Sequence, residues 1–290
     1  MKRIFLSALL VAAAMASNAQ GQLKLPSLSP TTKVSQEFAT SSIDFTYSRP
    51  SMRGRKIFGD IIPYGSVWRT GANAPTKIKF GEDVEVGGMK VKAGEYVLYT
   101  IPGKDKWEVV LNTGTGTWTA NGYEKENDVA RFSVKSSAME LNCQTFTIQI
   151  SDLTFNTCKL ELLWERTKIA IPVIAHNADN LDVNIDKAIN HPASLPYFQS
   201  ANYYFESDRK LDLAKTYIDK AVEQDPKAFY MWMLKARIEK KLGNNQDAIA
   251  AAKKAMETAK GNANEAEYLR NGQKIIDDVN RSARHKQAMD

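Results

Sequence analysis

Histidine and cysteine are scarce in this chain: three and two, respectively, in 290 residues. None of the histidines (His176, His191, His285) falls between residues 33 and 173. That stretch cannot supply the two or three imidazoles by which a jelly-roll barrel holds a transition metal. It also has no imidazole base for a Ser–His–Asp or Cys–His mechanism, which would need His176 or His191 reaching in from elsewhere. No Asp-rich loop of calcium spacing occurs, and no motif calls for a cofactor. No apolar run reaches the ~18 residues of a membrane helix, so no stable membrane anchor is expected. Charge is mild: Lys and Arg number 39 against 33 Asp and Glu, a net charge of +6. Without a concentrated basic stripe, nucleic acid is not an expected partner.

The two cysteines are Cys143 and Cys158. Gln144–Ser151 and Thr157–Glu165 read as the arms of a hairpin turning near Asp152–Asn156. That register sets Cys143 opposite Trp164, roughly 20 Å along the strand from Cys158. A bridge needs Cα atoms within ~7 Å, so two buried apolar thiols are expected in preference to a disulfide.

What is present begins with a targeting signal. Met1-Lys2-Arg3 is basic, Ile4 to Met15 is apolar, and Ser17-Asn18-Ala19 offers small residues for cleavage. This reads as a secretory signal peptide over residues 1–19, followed by a flexible leader over 20–32. No cysteine follows the apolar run to carry a lipid. The expected location is periplasmic or secreted.

Composition then changes once. Residues 33–173 are rich in Val, Ile, Thr, Phe, Tyr and Trp, with frequent glycine; residues 174–290 are rich in Ala, Lys, Glu, Asp and Gln. In the first part Ile43, Phe45 and Tyr47 alternate with Asp44, Thr46 and Ser48, as on a half-buried strand. Gly87-Gly88, between Val84-Glu85-Val86 and Met89-Lys90-Val91, supplies the positive φ values of a primed hairpin turn. Further strands are read at Thr76–Phe80, Glu95–Ile101, Trp107–Leu111, Ala130–Val134, Thr145–Ile150, Leu160–Trp164 and Lys168–Val173. About nine to eleven short strands without a helical period predict an antiparallel β-sandwich or jelly-roll-like domain.

After Pro172 the period becomes helical. Ala214 and Ala248 lie 34 residues apart, as do Ala221 and Ala255. Paired helices at that period resemble tetratricopeptide repeats, a protein-interaction module. Trp232 stands at an early aromatic position and Gly243 at the turn between helices. Ala236 departs from the glycine, and Glu239 from the tyrosine, that such repeats often carry. So few repeats rarely stand alone, so the helices are expected to dock on the β domain, on a protein partner or on a second copy in a homo-oligomer.

The chemistry concentrates between Asp44 and Asn73. Four arginines (Arg49, Arg53, Arg55, Arg69) are interleaved with glycines and aromatics. Guanidinium forks match carboxylate or phosphate. Two readings follow. In one, the arginines pair with Asp44, Asp60 or Asp128 and lock loops to the sheet. In the other, Tyr47, Arg49, Arg55, Tyr64, Trp68, Arg69 and Asn73 form a site for an anionic or carbohydrate ligand. A competing enzyme reading is a hydrolase of cell-envelope or imported glycans, using two of Asp44, Asp60, Glu95, Glu108, Asp128 and Glu161. Asn112-Thr113-Gly114-Thr115-Gly116-Thr117-Trp118 lacks the lysine and following helix of a phosphate loop. It reads as a mobile loop whose Trp118 suits stacking on a sugar.

Tyr47-Ser48-Arg49-Pro50, Gly54-Arg55, Ile57-Phe58-Gly59, Pro63-Tyr64-Gly65 and Val67-Trp68-Arg69-Thr70-Gly71-Ala72-Asn73 resemble the signature of a family of exported bacterial proteins. That family, common in Bacteroidota, is classed as a domain of unknown function. The likeness continues through Ala93-Gly94-Glu95-Tyr96, Ile101-Pro102-Gly103, Trp107 and Asn112, and covers about residues 33–173. It implies export and the domain limits, and supplies no mechanism. The expectation is therefore a non-enzymatic exported binding protein: a β domain with an arginine–aromatic surface, then helical repeats for a protein partner.

Overall fold

The computed structural model describes residues 25–114, 122–190 and 196–287. The span read as a signal peptide, residues 20–24 of the stretch read as leader, Trp118 and His191 lie outside the described residues. The chain divides into two compact units. One holds the strands and ends at Ile174; the other takes Leu153–Thr157 and the chain from Ala175 onward. Strands first and helices second is the order that the sequence predicts.

The β unit runs β1 (Thr31–Phe38), β2 (Ser41–Ser48), β3 (Thr76–Phe80), β4 (Val84–Val86), β5 (Met89–Val91), β6 (Gly94–Ile101), β7 (Lys106–Asn112), β8 (Asp128–Ser151) and β9 (Thr157–Ala175). The strand order is β1-β2-β3-β6-β7-β8-β9-β4-β5. Neighbours pair antiparallel from β1 through β9, and β4 pairs antiparallel with β5. β1 begins inside the stretch read as leader. Gly87 and Gly88 turn the β4–β5 hairpin at φ 58° and 87°, the primed geometry expected of them.

Alternation explains the flanking strands. Ile43, Phe45 and Tyr47 of β2 are buried, as are Ile78 and Phe80 of β3, while Lys77 and Lys79 face out. The central strands show no such alternation. β6 buries five residues in a row, Tyr96 to Thr100, because both of its faces are covered. On one side Val97 and Tyr99 pack with Val110 beneath Val67 and Tyr123.

The largest departure is in β8 and β9. The sequence suggests four short strands there; the structure has two long ones. β8 pairs with β7 as far as Lys135, opposite Lys106, then with β9 from Ser136, opposite Ile169, to Ser151, opposite Lys159. A strand that changes partners makes a corner between two sheets. β8 contains no proline or glycine to end it. The polar interruption is absorbed as register shifts instead: Ala138 faces Thr167, and Cys143 faces Glu165, one residue beyond the expected Trp164. Both cysteines are free thiols.

The helical unit has six helices among the described residues: α1 (Ala178–Ile189), α2 (Tyr197–Glu206), α3 (Leu211–Gln224), α4 (Phe229–Leu242), α5 (Asn245–Thr258) and α6 (Glu265–Gln287). From α2 to α6 each packs on the next. α3 and α5 have equal length and begin 34 residues apart. Buried Ala214, Tyr217, Ile218 and Ala221 on α3 recur as buried Ala248, Ala251, Ala252 and Ala255 on α5. Small side chains at these positions let the helix axes approach closely. Gly243 closes α4 at φ 81°, the left-handed cap that favours glycine.

Candidate functional site

The arginine-rich span leaves β2 and crosses the surface of the β unit, where its polar groups are largely committed inward. Tyr47 is buried, and its hydroxyl donates to Ile148 O at 3.3 Å and accepts from Ile148 N–H at 2.9 Å. Arg49 donates through Nε to Phe146 O at 3.1 Å and through Nη2 to Thr147 Oγ1 at 2.8 Å. Between these anchors the backbone bonds β8 directly, Phe146 N–H to Pro50 O at 2.9 Å and Met52 N–H to Gln144 O at 2.8 Å. Arg55 folds back on its own turn, donating to Met52 O and Ser51 O. Ile57 and Phe58 then donate their N–H groups to the carboxylate of Glu165, at 2.6 and 3.1 Å.

Phe58 enters an aromatic cluster with Trp68, Trp107, Phe146 and Trp164. Its ring centroid lies 4.8 Å from that of Trp107, and Trp68 stacks on Trp164 at 5.8 Å. Trp68 is buried, with its indole N–H donating to Gly71 O at 2.9 Å. Its backbone exchanges both bonds with Thr100, at 2.7 and 2.9 Å. Gly59 sits at φ 81° against the Tyr64 ring, where a Cβ would come within 2.5 Å of the ring. That glycine is needed for its dihedral; the exposed Tyr64 ring would have to move to admit a side chain.

The seven residues singled out from the sequence therefore separate. Tyr47 and Trp68 face inward, joined through Phe146 at 5.7 and 5.0 Å. Arg49 lies half-buried beside them and Arg69 is half-buried farther along the span. Arg55, Tyr64 and Asn73 are exposed; Asn73 donates to Ser29 O at 3.1 Å. A cavity of about 110 Å³ beside β2 takes one of the seven, Tyr47, into a wall shared with Thr46, Ser48 and Lys77.

Four of the six carboxylates proposed for hydrolysis are also engaged. Glu95 pairs with Lys77 at 2.7 Å. Glu108 and Asp128 meet the same arginine, Arg131, at 2.5 and 2.8 Å. Tyr123 joins that cluster, and burial together with the Asp128 carboxylate pushes its phenol up. Burial alone would raise the Glu161 carboxyl; the Gln149 amide at 2.8 Å and the Lys168 ammonium at 3.2 Å outweigh it and hold Glu161 below its ordinary value. Among the described residues no group of three or more His, Cys, Asp and Glu side chains is placed to hold a metal ion.

A groove of about 720 Å³ runs along α2, α4 and α6 of the helical unit. Phe205, Met233 and Ile275 form its apolar floor, and Arg237, Asn271 and Lys274 stand at its rim. The Arg237 guanidinium lies 4.6 Å from the Phe205 ring centroid and pairs with Glu206 at 2.9 Å. Lys240 pairs with Asp278 across the groove at 2.6 Å. Sequence reasoning did not find this groove, because its walls come from three helices and no single helix announces it. It also passed over Glu165, whose one signal is a charge closing the short apolar run Leu162–Trp164.

No curated protein and no solved structure matches the chain. A family model matches residues 29–173, the strands from the start of β1 to the end of the β unit. That match spans half the chain and takes in the whole bracing span, its β8 partners and Glu165. The chain belongs to the family described as protein of unknown function, DUF2911.

Proposed function

We propose that this is an exported, non-enzymatic interaction protein whose helices work as tetratricopeptide-like pairs and hold a segment of a protein partner. The observation that carries the reading is the groove along α2, α4 and α6, with an apolar floor and a polar rim. An apolar floor rewards burial of a partner's side chains, and rim groups orient its backbone. The 34-residue recurrence of α3 and α5 supports the repeat reading. The β unit then serves as a rigid body, its arginine–aromatic span bracing β2 to β8 and β9. Export rests on the basic, apolar and small-residue order of the first 19 residues.

The test is a photo-crosslinking amino acid placed at Asn271 in the groove and, as control, at Lys253 on the outer face of α5. The expected result in the producing cells is a discrete adduct from Asn271 that Lys253 does not give and that Arg237→Glu removes. The same adducts from both positions, or none from Asn271, would sink the reading.

A further inference from the structure

β1 is an open sheet edge whose peptide groups can be followed one by one. It ends the strand order and pairs with β2 alone. Arg49 N–H donates to Pro30 O at 2.9 Å, continuing the register in which Thr31 faces Ser48. Antiparallel alternation then turns the peptide groups of Thr32, Val34, Gln36 and Phe38 toward β2 and those of Thr31, Lys33, Ser35 and Glu37 outward. The far side of β2 gives the same parity. Gly81 N–H donates to Ser42 O at 3.0 Å, so the even residues of β2 serve β3 and its odd residues serve β1. Among the described residues the outward groups meet one partner, the Gln36 side-chain amide, which donates to Glu37 O at 3.0 Å.

Sheet edges are commonly blunted by a proline, a bulge or a charge that cannot be matched. β1 has no proline, and its pairing with β2 is unbroken from Thr31 to Phe38. It carries two charges, Lys33 and Glu37, both exposed and on the same face as Ser35. Opposite in sign, they stand at equal distances on either side of Ser35.

We propose that β1 pairs antiparallel with β1 of a second copy, about a two-fold axis through Ser35. Ser35 then faces Ser35, and Lys33 faces Glu37 of the other copy twice over. This register sets outward residue against outward residue, so the N–H and C=O groups of Lys33, Ser35 and Glu37 all find partners. Centring on Val34 would set Lys33 against Ser35; centring on Gln36 would set it against Ala39. Neither gives Glu37 a cation. Registers centred between residues oppose outward groups to inward ones and lose the ladder. The joined strands would form one continuous sheet through both copies, an isologous contact that closes on itself.

Sedimentation velocity of the purified protein, with cysteine crosslinking, tests this. The protein should sediment as a dimer. Lys33→Glu alone, or Glu37→Lys alone, should weaken the dimer by roughly tenfold or more, because each sets like charges opposite one another at two places. Together the two substitutions should restore it. In a Cys143→Ser background, Ser35→Cys should give a crosslinked dimer on mild oxidation. Facing Cα atoms in a hydrogen-bonded antiparallel pair are about 5.5 Å apart, within disulfide range. Thr31→Cys should give none. A monomer at all concentrations, a dimer indifferent to the single charge reversals, or crosslinking at Thr31 in place of Ser35 would overturn the proposal. Circular dichroism of each variant separates loss of the dimer from loss of the fold.

Discussion

The Glu165 carboxylate accepts the backbone N–H of Ile57 at 2.6 Å, and that of the next residue, Phe58, at 3.1 Å. These residues are over a hundred positions apart, and the contact pins the middle of the arginine-rich span to β9. Glu165 reaches it from a left-handed backbone at φ 53°, where a non-glycine residue costs about 1 kcal/mol or more. The two bonds offset that cost. Glu165→Ala should therefore destabilise the β unit by about 2–4 kcal/mol. Glu165→Gln, which keeps a single amide oxygen, should cost less. Urea unfolding followed by tryptophan fluorescence reads the difference, since Phe58 sits against Trp107 and Trp164.

Arg49 makes a related prediction. Its guanidinium spans Phe146 O and Thr147 Oγ1, a two-pronged contact that one ammonium cannot reproduce. Arg49→Lys should cost about 1 kcal/mol and Arg49→Ala about 2 kcal/mol. If the residue instead serves a ligand and not the frame, the urea midpoint of Arg49→Ala will match that of the parent protein.

The buried thiol of Cys158 sets an alkaline limit. Burial pushes it from 9.0 up to about 11, so the folded protein keeps a proton that the unfolded chain releases. Its contribution is intact below pH 9 and is lost as pH rises through about 11, amounting to roughly 2–3 kcal/mol. Unfolding midpoints between pH 8 and pH 10, where the raised phenols of Tyr96 and Tyr99 are still protonated, should fall in the parent protein. In Cys158→Ala they should stay flatter. Equal slopes would count against this account.

In the helical unit Glu239 is fully buried. It is met by the Lys215 ammonium and by the Asn244 amide at 2.7 Å. Lys215→Met strands a buried carboxylate and should cost about 3–5 kcal/mol. Adding Glu239→Gln to that variant should recover much of the loss. Melting followed by helical circular dichroism measures both. A Lys215→Met protein that melts with the parent would show that Glu239 finds its counter-charge elsewhere.

The strand pattern was legible where one face of the sheet is covered. Ile43, Phe45 and Tyr47 alternate because only one side of β2 is packed. β6 does not alternate, since a central strand is covered on both sides. The length of β8 was hidden because a change of partner is a tertiary event with no local sign in Ser136–Asn142. The arginine-rich span was found, but its tie to the sheet could not be foreseen. The sequence offers Asp44, Asp60 and Asp128 as partners for Arg49 and Arg55; the two arginines bond to the carbonyls of Phe146, Met52 and Ser51 instead. A main-chain oxygen is available at every residue, and no side chain marks which one is used.

The change of partner along β8 also governs the order in which the chain can assemble. One strand carries the ladder with β7 at its start and the ladder with β9 at its end. Neither ladder is secure until that strand is seated in both. The span after β2 bonds β8 across nearly a hundred residues, as between Ser51 and Thr145, so its contacts are among the least local in the unit. Such a topology folds slowly. An emerging chain must therefore expose residues through β9 before the strands at its beginning can commit, and a chain interrupted within β8 would hold half a ladder and keep nothing.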